Sequence, residues 1–195
     1  MLKTTDDLKK ELSGKYKNPS SKIWRMNHNR EILKVKNGLY TTRKDSFKEA
    51  YSGLICGPSY VSFEKALARY NLIPEWVPVC TCATFEKNTR LEFVNDFGRY
   101  TYKDVPSNVF PYSLVIYKRG NFSWTMATPE KAICDLLYTR KEIEKYSLFE
   151  GFLFEGMRFD EDEFFSLDKN LFLELAPMYH VKNLEYLEKY VKEVM

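Results

Sequence analysis

The chain has 195 residues, 44% of them hydrophobic and 16% aromatic, enough apolar content to bury a core and too much for a disordered protein. Its net charge of +3 is unevenly divided: residues 1–44 hold twelve Lys/Arg against four acids, a balance of +8, whereas residues 45–195 hold eighteen against twenty-three, a balance of −5. No run of about 18 apolar residues occurs, and the opening MLKTTDDLKKEL carries charges where a signal peptide needs an apolar stretch, so the expectation is a soluble, cytoplasmic protein.

In chain order, Thr5 or Asp6 can cap a short helix through Leu8 and Leu12 that ends near Gly14. Asn18 and Pro19 then fit the N-cap and first position of a second helix, NPSSKIWRMNHNR. Ile23 and Met26 share one face of it with Trp24 beside them, and Ser20, Ser21, Lys22, Arg25, Asn29 and Arg30 lie largely elsewhere, free to donate to phosphates and base edges. Ile32 to Lys36 and Leu39 to Thr42 read as two strands joined by Asn37-Gly38, a pair suited to a type I′ turn, with Lys34 and Lys36 pointing outward. Two helices followed by a basic hairpin is the order of a helix-turn-helix with a wing. A small α/β cap whose lysines merely face solvent has the same pattern.

A second, larger unit begins near Asp45 with the helical stretch SFKEAYSG, followed by Phe63 to Tyr70 with Ser62 as N-cap and Ala66, Leu67 and Tyr70 on one side. Trp76–Phe85, Arg90–Val94, Arg99–Lys103, Leu114–Lys118 and Asn121–Met126 have strand composition, with NDFG and Arg119-Gly120 as turns, and together they predict an antiparallel meander. Thr128 and Pro129 start a helix in which Ile133, Leu136 and Leu137 form the apolar stripe while Lys131, Arg140 and Lys141 are expected to point outward. From Asp160 onward the pattern is helical, with Leu184, Leu187, Val191 and Val194 in register near the end. The run Asp160–Glu163 reads as a solvated helix start, or as a phosphate mimic toward a basic partner.

Common catalytic sites fail by inspection. Neither a G-x-x-x-x-G-K-[ST] nor a G-x-G-x-x-G phosphate loop is present, there is no G-x-S-x-G elbow, and no E-x-K triplet of the nuclease kind occurs. Cys80 and Cys82 form a lone C-x-C pair, and His28 and His180 lack metal-ligand spacing, so reduced, partly buried thiols are expected rather than zinc ligands. The expectation is a protein without catalytic residues, metal or cofactor.

Three blocks, SGLICGPSYVSFEKALARYNLIP, VNDFGRYTYKDVPSNVFPY and MATPEKAICDLLYTR, stand in this order behind the basic segment. In that order and spacing the chain resembles the AbiE-type antitoxins of bacterial type IV toxin–antitoxin systems, most clearly over about residues 20–140. The resemblance implies an N-terminal winged helix that binds inverted repeats in its own promoter and represses the operon. It also implies a second domain that neutralises a nucleotidyltransferase-type toxin.

The fold class expected is α+β: a winged helix-turn-helix over residues 1–46, then a larger mixed domain over 47–195 with antiparallel strands and C-terminal helices. The DNA-binding residues expected are Ser21, Lys22, Arg25 and Asn29 toward the major groove, Arg30 beside them, and Lys34, Lys36 and Asn37 toward the backbone or minor groove. Two other readings stay open: a stand-alone winged-helix regulator, and an interaction module that blocks a partner by contact without specific DNA binding.

Overall fold

The computed structural model describes residues 1–43 and 47–195. The expected domain boundary at residue 46, together with Lys44 and Asp45, lies outside the described residues. The architecture is mixed α+β, and among the described residues it contains two sheets, one three-stranded and one six-stranded.

The N-terminal part runs β1 (Leu2–Thr4), α1 (Thr5–Leu12), α2 (Pro19–His28), β2 (Leu33–Lys36) and β3 (Leu39–Thr41). The first helix starts one residue earlier than the sequence pattern suggests. Thr4 caps it through a reciprocal capping box, its hydroxyl accepting from the Asp7 amide at 3.1 Å while the Asp7 carboxylate accepts from the Thr4 amide at 2.9 Å. Asn18 caps α2 as expected, accepting from the Ser21 amide at 3.1 Å with Pro19 at the first position. The three strands order as β1-β3-β2, all antiparallel; β1 is too short to announce itself in the sequence. Gly38 has φ +81° but Asn37 is not among the residues with positive φ, so the hairpin turn is not type I′, which needs both residues in that region. A register shift between Lys34 and Lys36 accommodates the different turn. Leu8, Ile23 and Ile32 form a small core of their own, flanked by Leu12, Met26 and Tyr40.

The larger part begins with a short 3-10 turn, Lys48–Tyr51, then α3 (Ser52–Ile55), β4 (Tyr60–Val61), α4 (Phe63–Arg69), β5 (Cys80–Thr84), β6 (Leu91–Asn95), β7 (Gly98–Asp104), β8 (Leu114–Arg119) and β9 (Phe122–Ala127). The sheet order is β6-β7-β5-β4-β9-β8. The β6–β7 and β8–β9 hairpins fall where the NDFG and Arg-Gly turns put them, but the expected meander is corrected: β5 pairs with β7 and β4 with β9 in parallel. One parallel pair comes from β4, a two-residue strand hidden in the Ser-Tyr-Val-Ser stretch that inserts between β5 and β9; the other arises because β6 takes the sheet edge and leaves β7 beside β5.

Helix α5 (Pro129–Tyr138) packs against α4, β9, α8 (Lys169–Leu175) and α9 (Lys182–Val194), while α6 (Phe149–Gly151) packs against α9 and α7 (Glu161–Phe165) leads into α8. Thr128 accepts from the Lys131 amide at 3.3 Å as its N-cap, and Ile133, Leu136 and Leu137 are buried as the stripe requires. The rest of the helix differs from the amphipathic expectation, since every residue from Glu130 to Leu137 is buried. Lys131, expected to face outward, has a fully buried side chain and pairs with Asp135 at 2.9 Å. Asp135 also accepts from Tyr60 at 2.9 Å, from Ser62 at 2.7 Å and from Tyr179 at 2.6 Å, while the Lys131 ammonium donates to the Tyr179 hydroxyl at 2.6 Å. Burial, with Asp135 beside them, pushes the Tyr60 and Tyr179 phenols well above their usual range. This network also takes the Ser62 hydroxyl, which therefore does not cap α4. The acidic run Asp160–Glu163 is an exposed helix start, with Asp160 accepting from the Glu163 amide at 3.0 Å.

Candidate nucleic-acid interface

The N-terminal helices and hairpin expose a polar surface because their apolar residues are few and spent on one side. On α2, Ile23 and Met26 turn inward, so the opposite face carries what remains. Ser21, Arg25 and Asn29 recur at intervals of four and form one exposed stripe, with Asn29 as the C-cap donating its amide to the Arg25 carbonyl at 2.8 Å. Arg30 follows at φ +56° in the turn out of the helix and is exposed. Lys22 flanks the stripe; it lies 3.6 Å from Glu31 and 5.6 Å from the centre of the Tyr16 ring. The charge of Arg25 has no partner among the described residues.

The hairpin contributes less freely. Leu33 and Val35 of β2 are buried, and Val35 joins the main core rather than the small one. The strand is also clamped from outside its own sheet. Asp96, in the β6–β7 turn, accepts from the Lys34 amide at 2.6 Å and from Asn27 of α2 at 2.7 Å, and Asn95 donates to the Val35 carbonyl at 2.7 Å. The Lys34 side chain is half-buried, Asn37 is exposed at the turn, and the Lys36 ammonium donates to the Leu54 carbonyl, which draws it toward the body of the protein. The structure thus brings Ser21, Arg25, Asn29 and Arg30 together on one surface with Lys22 at its edge, and holds Lys34, Lys36 and Asn37 on a hairpin fixed beside it.

Two features of this surface escaped the sequence. Trp24 is 66% exposed rather than packed on the small core, and its ring stacks on His28 at 5.1 Å with the planes 10° apart. Spacing alone could have found it, since Trp24 and His28 are four residues apart and on the stripe's flank. Lys15 and Lys17 are exposed in the loop leading into α2 and have no ion-pair partner among the described residues. In the capping box of α1 the Asp7 carboxyl is held below its usual range, first by the Thr4 hydroxyl and then by the Thr4 amide.

No known protein-family model matches the chain, and no curated protein matches it. Among the described residues no group of His, Cys, Asp or Glu has the geometry to hold a metal ion, and no helix is long and apolar enough to cross a membrane. Cys80, Cys82 and Cys134 are buried and Cys56 is half-buried, each as a free thiol.

Proposed function

We propose that the protein is an antitoxin of the AbiE type that represses its own operon, working in the cytoplasm without a catalytic step. In this reading β1, α1, α2 and the β2–β3 hairpin form a winged helix lacking a separate first helix. Helix α2 reads the major groove and the hairpin follows the backbone. Residues 47–195 neutralise a nucleotidyltransferase-type toxin. The observation that carries the DNA-binding half is the exposed Ser21–Arg25–Asn29 stripe, set in a segment of net charge +8 and followed directly by a two-stranded hairpin. The toxin half rests on the resemblance of the three sequence blocks.

The test is binding to the protein's own upstream DNA across a salt series. With a slope of about −0.9 per phosphate neutralised, on the order of four to six contacts are expected. Arg25→Ala should weaken binding and flatten the preference for the operator over unrelated DNA. Affinity that does not change with salt refutes the reading.

The exposed Trp24 supports a second reading, an interaction module that blocks a partner by contact, because an aromatic ring beside an arginine is a frequent anchor at protein interfaces. Under it, Trp24→Ala abolishes partner rescue while the DNA titration shows no operator preference.

A further inference from the structure

Away from the N-terminal surface, a cavity of about 560 Å³ opens between α4, the loop that follows it, and the β8–β9 hairpin. Its size is in the range that small ligands occupy. Its charges are not balanced within the chain. Glu49 is paired with Lys65 at 3.0 Å and Glu75 with Arg158 at 2.6 Å, so both carboxylates that line the cavity have a cationic partner. The two guanidinium groups differ. Arg69 donates to the Tyr117 hydroxyl at 3.1 and 2.7 Å and lies over that ring at 4.6 Å, and Arg119 lies over the Phe47 ring at 4.2 Å; neither meets a carboxylate among the described residues. Tyr117 and Arg119 are two apart on β8 and so share a face, which brings both cations to the same side of the hairpin.

The walls beside these cations are aromatic. Trp124 stacks on Tyr117 at 5.3 Å, and its indole N–H is buried without an acceptor among the described residues. Trp76 stands at the rim, 84% exposed and in no ring contact among the described residues. A ring so placed is available for stacking. An amine would have to displace Lys65 or Arg158 to reach a carboxylate here, and a purely apolar ligand would leave two guanidinium groups unmatched. A phosphate fits the fork geometry of arginine, and a planar heterocycle fits the indole faces.

We propose that this cavity binds a free nucleoside phosphate, its phosphate held by Arg69 and Arg119 and its base against Trp76. The proposal does not depend on the DNA-binding reading, because it uses none of the residues of the N-terminal surface.

The experiment is a tryptophan-fluorescence titration of the full chain with AMP and GMP, confirmed by calorimetry. The chain has three tryptophans, two of which line the cavity. Saturable quenching that persists in Trp24→Phe and is lost in Trp76→Phe is expected. Arg119→Ala should weaken binding about tenfold or more with an unchanged melting temperature, and Arg119→Lys, which keeps the charge, should recover part of it. Absence of saturable binding up to about 1 mM overturns the proposal. So does equal binding of inorganic phosphate or of the bare nucleoside, since either shows that only half of the site is used. Tighter binding of a short single-stranded RNA overturns the assignment to a free nucleotide.

Discussion

Replacing Asp135 should damage the protein more than replacing Lys131, although the two form one buried ion pair. The pair is fully buried, and the bonds around it are distributed unequally. In Lys131→Met the carboxylate keeps three hydroxyl donors, Tyr60, Ser62 and Tyr179, at 2.6–2.9 Å. The carboxylate is stranded without its counter-charge, but these three donors still solvate it, so the loss falls at the low end of that for a broken buried pair, about 3 kcal/mol. In Asp135→Ala the ammonium is left with the Tyr179 hydroxyl alone, and the Tyr60 and Ser62 hydroxyls lose their acceptor. A stranded ammonium with a single remaining partner spans the full range for a broken buried pair, about 3–5 kcal/mol. For a chain of this size each kcal/mol lowers the melting temperature by about 2–4 °C, so Asp135→Ala should melt about 6–20 °C below the parent and Lys131→Met about 6–12 °C below it. Lys131→Met with Asp135→Leu removes both charges but still strands hydroxyls, at about 1–3 kcal/mol each, so it should not return to the parent value. Differential scanning calorimetry with urea titration checks the order. A Lys131→Met variant less stable than Asp135→Ala would refute the claim that the carboxylate organises the network, as would a loss below about 1 kcal/mol in Asp135→Ala.

Asp96→Ala should release the hairpin from the larger part, because this one carboxylate accepts from both the Lys34 amide and Asn27. Hydrogen exchange at Lys34 should accelerate, with a stability loss of about 1.5–3 kcal/mol, and unchanged exchange there would contradict the clamp. Acid should loosen α1 ahead of the rest: the folded state holds the Asp7 carboxyl below its usual value, so the capping box is fully present above the ordinary carboxylate range and is lost as pH falls through the lower folded value. Amide exchange in α1 followed downward in pH checks this, and Asp7→Asn should abolish the acid-dependent step.

Elements whose signals are local were legible in the sequence. Asn18-Pro19 and Thr128-Pro129 start their helices where capping chemistry demands, and the turns of the two sheet hairpins carry their own residues. What escaped required partners distant in the chain. Strand β4 is two residues long and gains its identity only from β5 and β9, so the parallel pairing it makes with β9 has no periodic trace. Lys131 reads as solvent-facing because a lysine beside an apolar stripe usually is; its burial depends on Tyr60 and Tyr179, 71 and 48 residues away. The cavity was illegible for the same reason, since Arg69 and Arg119 belong to different elements and come to one cavity only through the fold.

The charge of the first 44 residues overstates what a polyanion would meet, and the structure narrows it. Lys3 pairs with Glu11 at 2.7 Å and Lys36 is tied to the Leu54 carbonyl, so neither ammonium is unclaimed. The Lys22–Glu31 contact at 3.6 Å is open to solvent and is worth about 0–1 kcal/mol, so Lys22 can exchange it for a phosphate at small cost. In the loop before α2, on α2 and its exit turn, and on β2, the cations with neither a carboxylate nor a carbonyl partner among the described residues are Lys15, Lys17, Arg25, Arg30 and Lys34. That set agrees with the four to six phosphate contacts on the order of which the proposed salt slope depends. Of its members only Arg25 belongs to the exposed stripe of α2, where a guanidinium can meet a base edge as well as a phosphate. Sequence preference should therefore concentrate in Arg25 and its neighbours Ser21 and Asn29, while the lysines supply affinity that is blind to sequence.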